Sequence, residues 1–242
     1  MEPHEARYQD RVVVVTGARK GLGRMLADHF LEEGARVIGM SRGEAAIAHP
    51  NYDHRNVDVG NDLEVKSAFA GIARSHGGRV DIVVNNAGVL ASVRAMLMPA
   101  PRAEEMVRTN FLGSFYVSCE AAKLMRRGKF GRIINIGSMA SVLEPVGDSI
   151  YAATKAASMT LMGVLAKEFA SYGITVNTLA VSTFQTDMLE QIPADAMAAV
   201  LAELPIPRMA TPDDVLNVVD FFASPSSSLI TAQTLFLGGA HA

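Results

Sequence analysis

The sequence predicts an α/β fold: a doubly wound sheet of seven parallel strands, helices on both faces, and a single domain over residues 1–242. Three observations predict it. Short β-branched apolar runs alternate with longer stretches whose apolar residues recur at helical spacing. That alternation is how strand–helix–strand units build a parallel sheet. The chain is 49% hydrophobic and 19% charged, which suits one large core, and no repeat, low-complexity tract or linker divides it.

The elements follow in order. "RVVVV" at 11–15 is a continuous β-branched run, as a strand buried on both faces should be. "LGRMLADHFLEEG" reads as a helix stopped by Gly34. "ARVIGM" is the second strand and "RNVDV" the third, with a connection between them too short for a helix. "NDLEVKSAFAGIARSHG" is helical and "VDIVVNNAG" is the fourth strand. Pro101 opens a long helix to about Arg127, ended by Gly128. "GRIINIGS" is the fifth strand, followed by a helix carrying "YAATK" at 151–155. "GITVNTLAV" is the sixth strand. "TPDDVLNVVDFFAS" is a helix with Thr211 as N-cap and Pro212 in its first turn, and "QTLFLGG" is the seventh strand. The stretch 183–210, with three prolines and a Met/Ala-rich pattern, is a candidate substrate lid or a surface helix pair.

Composition narrows the function. Net charge is −3 with the signs interspersed, so no basic stripe points to nucleic acid and no polybasic run to a membrane. Cys119 is the only cysteine, which excludes an intrachain disulfide and fits a reducing compartment. The polar N-terminus and the lack of a spanning apolar run predict a soluble, cytoplasmic protein. No metal site is expected.

Two motifs carry chemistry. Gly17, Gly21 and Gly23 lie between the first strand and first helix with spacing G-x-x-x-G-x-G. Glycines there permit a tight turn and close backbone approach, and the helix N-terminus offers N–H groups to a pyrophosphate. Tyr151 and Lys155 are four residues apart, so they share one helical face. A phenol with pKa about 10 holds its proton too tightly for ready exchange at neutral pH. A nearby ammonium is expected to lower that pKa and make the phenol usable as an acid or base. Ser138 ends the fifth strand, where ligands bind in open α/β sheets.

Taken together, "TGARKGLG" at 16–23, "NNAG" at 85–88, Asn110, Ser138 and "YAATK" resemble the short-chain dehydrogenase/reductase family in order and spacing, from about residue 11 onward. The resemblance implies a Rossmann-type fold and an oxidoreductase in which Tyr151 is the acid/base, Lys155 activates it and also bonds the nicotinamide ribose, Ser138 holds the substrate oxygen, and Asn110 holds a relay water. It implies that Asn85 ties neighbouring strands together. The implied cofactor-binding set is Gly17, Arg19, Lys20, Gly21, Leu22, Gly23, Ser41, Arg42, Asp58, Val59, Asn86, Ala87, Gly88, Tyr151, Lys155, Phe184 and Thr186. An acidic residue ending the second strand would favour NAD; here Met40 and Ser41 stand there, followed by Arg42, with Lys20 in the loop, and the pattern is similar to NADPH-binding members. Glu44 is the one nearby acid that would argue otherwise.

The chain departs from the family after the sixth strand, where Val181 and Ser182 replace the usual Pro-Gly. The fuller match is to 3-oxoacyl-acyl-carrier-protein reductases, which implies a 3-oxoacyl thioester as substrate, an acyl carrier protein as a possible partner and a homodimer or homotetramer. A basic patch of Lys123, Arg126, Arg127 and Lys129 is the candidate carrier surface, although Tyr172 replaces an arginine common in such reductases. The alternatives are an NAD(P)-dependent dehydrogenase of a small alcohol and a non-catalytic nucleotide-binding scaffold.

Overall fold

The computed structural model describes residues 6–181, 184, 198 and 201–239. Seven parallel strands form one sheet in the order β3-β2-β1-β4-β5-β6-β7. They are β1 (Val12–Thr16), β2 (Arg36–Ser41), β3 (Tyr52–Asn56), β4 (Ile82–Asn85), β5 (Gly131–Ser138), β6 (Ile174–Val181) and β7 (Thr234–Phe236). The order reverses between β1 and β4, and the crevice at such a reversal is where open α/β sheets bind ligands.

The helices are α1 (Gly21–Glu32), α2 (Asp62–Ser75), α3 (Ala100–Met106), α4 (Gly113–Gly128), α5 (Ala140–Leu143), α6 (Ser149–Phe169) and α7 (Pro212–Ala223). One face of the sheet packs Leu26, Phe30, Val219 and Phe222 against Val13, Val15 and Ile134. The other packs Phe69, Ile72, Val117, Met125, Met162 and Leu165 against Val14, Ile38 and Ile133. The continuous apolar runs of β1 and β4 follow from this two-sided burial, and β5 is buried along its whole length. Thr211 and Asp214 form a reciprocal capping box at the start of α7, as its sequence predicts.

Four boundaries differ from expectation, each for a physical reason. The third strand is Tyr52–Asn56 rather than 55–59: it is the sheet edge, so its residues are polar and half-buried, and the apolar signal came from Val57 and Val59 just beyond it. The fourth ends at Asn85, where the chain turns into the cleft. The seventh stops at Phe236 because Gly238 and Gly239 adopt positive φ in a 3-10 turn. The long helix spans α3 to α4 but contains a π turn at Val107–Leu112, and its stop falls on Lys129 in the left-handed conformation, not on Gly128. No helix occupies 42–51, as expected. Most of the candidate lid lies outside the described residues; within it Leu204 packs against Met139 and Phe184 bridges to Ala210.

Candidate active site

A cleft of about 1010 Å³ opens at the carboxyl ends of the strands, across the β1–β4 reversal. One end is built by the glycine loop. Gly17 and Gly21 have φ of +71° and +54°, conformations that L side chains rarely adopt. A Cβ on Gly23 would lie 2.3 Å from the Gly17 carbonyl oxygen, so the turn closes only without one. Lys20 occupies the N-cap of α1 and has no side-chain oxygen with which to cap, which leaves the first-turn N–H groups to an anion. Thr16, which the sequence reading passed over, braces this loop. Its hydroxyl accepts from the backbone N–H groups of Asn86 and Ala87, each at 2.9 Å, while Asn86 Nδ2 donates to the Thr16 carbonyl at 2.9 Å.

The predicted cofactor residues Arg19, Lys20, Leu22, Ser41, Arg42, Asp58, Val59, Asn86, Ala87, Gly88 and Phe184 all line this cleft with the glycines. Arg42 reaches Glu105 at 3.3 Å, and Arg19 Nη1 donates to the Arg42 carbonyl at 3.0 Å, so Arg19 supports the turn that presents Arg42. Ser41 Oγ is buried with no hydrogen-bond partner among the described residues. Glu44 is absent from the cleft wall. A glycine cradle, a helix N-terminus, an orphaned hydroxyl and an exposed guanidinium suit a nicotinamide dinucleotide. Thr186 and Ser182 lie outside the described residues.

The other end gathers Ser138, Tyr151 and Lys155. The fully buried β5 ends at Ser138, and α6 runs back beside it, bringing Tyr151 within hydrogen-bond reach of the Ser138 hydroxyl. Lys155 is buried, lies 5.8 Å from the Tyr151 ring centroid and donates to the Ile136 carbonyl at 2.8 Å. Desolvation holds its pKa down to about 8. The expected depression of the tyrosine does not appear: the Tyr151 pKa is raised, first by burial, with the Asp148 charge adding and the Ser138 hydrogen bond opposing. Lys155 directs a hydrogen bond at a backbone carbonyl, and desolvation dominates the phenol.

Two asparagines of the expected set hold the wall of the cleft in different ways. Asn85 donates to Ser118 Oγ at 2.8 Å and so ties β4 to α4; Asn86 makes the link between strands. Asn110 sits in the π turn, 2% exposed, and stands behind the cleft wall. Its Oδ1 accepts from Val89 N at 2.8 Å, and its Nδ2 donates to the Val89 carbonyl at 2.9 Å and to Thr154 at 3.2 Å. These contacts pin the loop after β4 to α6. Sequence reasoning also passed over Glu105 and Asp148, both in the wall. Asp148 precedes the tyrosine by one helical turn, and that spacing was the available signal.

Residues 11–197 match the family model of the short chain dehydrogenases. The 3-oxoacyl-acyl-carrier-protein reductases of Vibrio cholerae and Escherichia coli are each 34% identical to this chain, covering 96% of it and 97% of their own length. Among solved structures, the aldohexose dehydrogenase of Thermoplasma acidophilum in ligand-free form superposes with a TM-score of 0.88 at 28% identity, covering 98% of this chain and 96% of that one. A putative gluconate dehydrogenase of Agrobacterium tumefaciens does so with a TM-score of 0.86 at 26% identity, covering 97% of each chain. With glycine loop, serine strand end and tyrosine helix all inside the matched region, this chain belongs to the short-chain dehydrogenase family of oxidoreductases.

Proposed function

We propose that this protein reduces a ketone to a secondary alcohol with NADPH, and that the substrate is a 3-oxoacyl thioester. The observation that carries the reading is the convergence of Ser138, Tyr151 and Lys155 at the end of the cleft away from the glycine loop. NADPH supplies the hydride. The chain's residues do the rest: Ser138 donates to the carbonyl oxygen, Tyr151 gives that oxygen its proton, and the Lys155 ammonium favours negative charge beside them. The Tyr151 proton is restored from solvent. The thioester follows the reductases of Vibrio cholerae and Escherichia coli named above. NADPH consumption with carrier-linked and free ketones tests the reading, and a chain that consumes none contradicts it. The two sugar dehydrogenases of similar fold support the second reading, oxidation of a small alcohol at the same residues.

Cofactor choice rests on Arg42, which lines the cleft beside Ser41, with no acidic side chain ending β2. Arg42→Asp should reverse or erase a preference for NADPH over NADH, because a carboxylate repels a 2′-phosphate and accepts from a 2′-hydroxyl. Equal use of both cofactors by the unmutated protein in steady state would contradict this.

An assembly of two or four copies is expected through the outer faces of the long helices. Phe115 on α4 and Val164 on α6 are 38% and 46% exposed, more apolar surface than a solvated helix face needs. Light scattering at micromolar concentration should report a dimer or tetramer; a monomer refutes it. The basic patch proposed for a carrier protein stands at the wrong end of its own chain for this cleft. Lys129 precedes β5 and Ser138 ends it, and the strand between them is roughly 23 Å long at ~3.3 Å per residue. No described helix is long and apolar enough to cross a membrane.

A further inference from the structure

Two arginines from separate elements converge on one carboxylate in the wall of the cleft. Arg42, in the turn after β2, donates from Nη1 to Glu105 Oε1 at 3.3 Å. Arg102, three residues before Glu105 on α3, donates from Nη1 to Glu105 Oε2 at 3.0 Å. All three residues line the cleft. Glu105 is the only side chain that either guanidinium bonds among the described residues. The Arg42 and Arg102 side chains are 59% and 66% exposed. A guanidinium carries five N–H donors, so each keeps donors free for a ligand. Exposed ion pairs contribute little to stability, so the needs of the fold do not explain why two cations gather here.

Sheet order fixes which end of the cleft the cluster occupies. The glycine loop follows β1, Arg42 follows β2 on one side of it, and Ser138 ends β5 on the other. Arg102 reaches the same carboxylate as Arg42, so it belongs to the end away from Ser138. With the pyrophosphate at the glycine loop and the ketone at Ser138, that end receives the adenosine ribose.

We propose that Arg102 is a second residue gripping the 2′-phosphate of NADPH, and that Glu105 holds the phosphate's place between Arg42 and Arg102 until the cofactor binds. The phosphate then takes over the two guanidiniums, which match its oxygens as well as they match a carboxylate. Glu105 thereby keeps two like charges together and also competes with the phosphate for them. Both roles rest on the NADPH reading of the cleft, but not on the thioester.

Adenosine 2′,5′-bisphosphate and 5′-AMP make the test, because they differ only in the 2′-phosphate. Calorimetric titration of the full chain with each gives a ratio of affinities and needs no turnover. The unmutated protein should bind the bisphosphate more tightly. Arg102→Ala should lower that ratio by about tenfold, the low end for a hydrogen bond to a charged group, with 5′-AMP affinity little changed. Arg102→Gln, which keeps most of the side chain and loses the charge, should lower it too, and decides the matter if the alanine variant does not fold. Glu105→Gln should raise the ratio by about two- to fivefold, the size of an exposed ion pair, because the competing charge is gone. A surface ion cluster with no part in binding would leave the ratio in place in all three variants. A ratio unchanged in the Arg102 variants, or not raised by Glu105→Gln, overturns the inference while leaving the NADPH reading intact. A ratio near one in the unmutated protein overturns both.

Discussion

Tyr151→Phe should lower turnover by a factor on the order of 10² to 10⁴, the usual contribution of a positioned general acid. The substitution keeps the ring that lines the cleft and removes only the hydroxyl. Burial holds the Tyr151 proton more tightly than water would, which suits a group that must deliver a proton to a developing alkoxide and stay protonated until then. Ser138 and Tyr151 line the same end of the cleft, where a carbonyl oxygen is proposed to be held. NADPH affinity should change little, because the phenol is proposed to act mainly on the substrate. Steady-state turnover and a fluorescence titration of NADPH separate the two effects. A Tyr151→Phe enzyme that retains half its activity would end the mechanism.

Lys155→Ala should reduce both turnover and NADPH affinity, since the ammonium is proposed to serve the phenol and the ribose together. Removing Tyr151 and Lys155 jointly should cost little more than removing one, as expected for members of a single catalytic unit. The lysine also has a signature in pH. Its pKa is held near 8 in the folded chain against about 10.5 when exposed. Below pH 8 both states bind the proton and the fold carries the full cost of the buried ammonium. Between about 8 and 10.5 the unfolded chain binds more protons, so this group's contribution to stability rises with pH. The difference in unfolding free energy between the unmutated chain and Lys155→Ala should therefore move in favour of the unmutated chain across that window. In the free enzyme, kcat/KM for reduction should fall as pH passes about 8, where the ammonium charge is lost. Flat behaviour in both measurements would contradict the assignment.

Much of the fold was legible because burial wrote it into the sequence. β5 and β6 are interior strands rich in β-branched residues, and their boundaries follow closely from "GRIINIGS" and "GITVNTLAV". The glycine loop was legible because a tight turn before a helix admits few other residues. β3 was misplaced because an edge strand carries no apolar signal. The π turn was invisible, since its extra residue leaves the helical pattern intact while turning Asn110 inward to Val89 and Thr154. Spacing put Tyr151 and Lys155 on one face, but it could not show that burial would outweigh the ammonium at the phenol. Asp148 escaped notice because an aspartate at a helix start reads as a cap, and only the placement of its side chain shows otherwise.

The central step is hydride transfer to a ketone within this cleft, completed by a proton from Tyr151. NADPH deuterated at both C4 positions, supplied with a 3-oxoacyl thioester, tests it most directly, with mass spectrometry of the product. One deuterium is expected on the former carbonyl carbon of a 3-hydroxyacyl product from the unmutated enzyme, with labelled product nearly absent for Tyr151→Phe. Product without deuterium, or equal labelling by the two proteins, would contradict it.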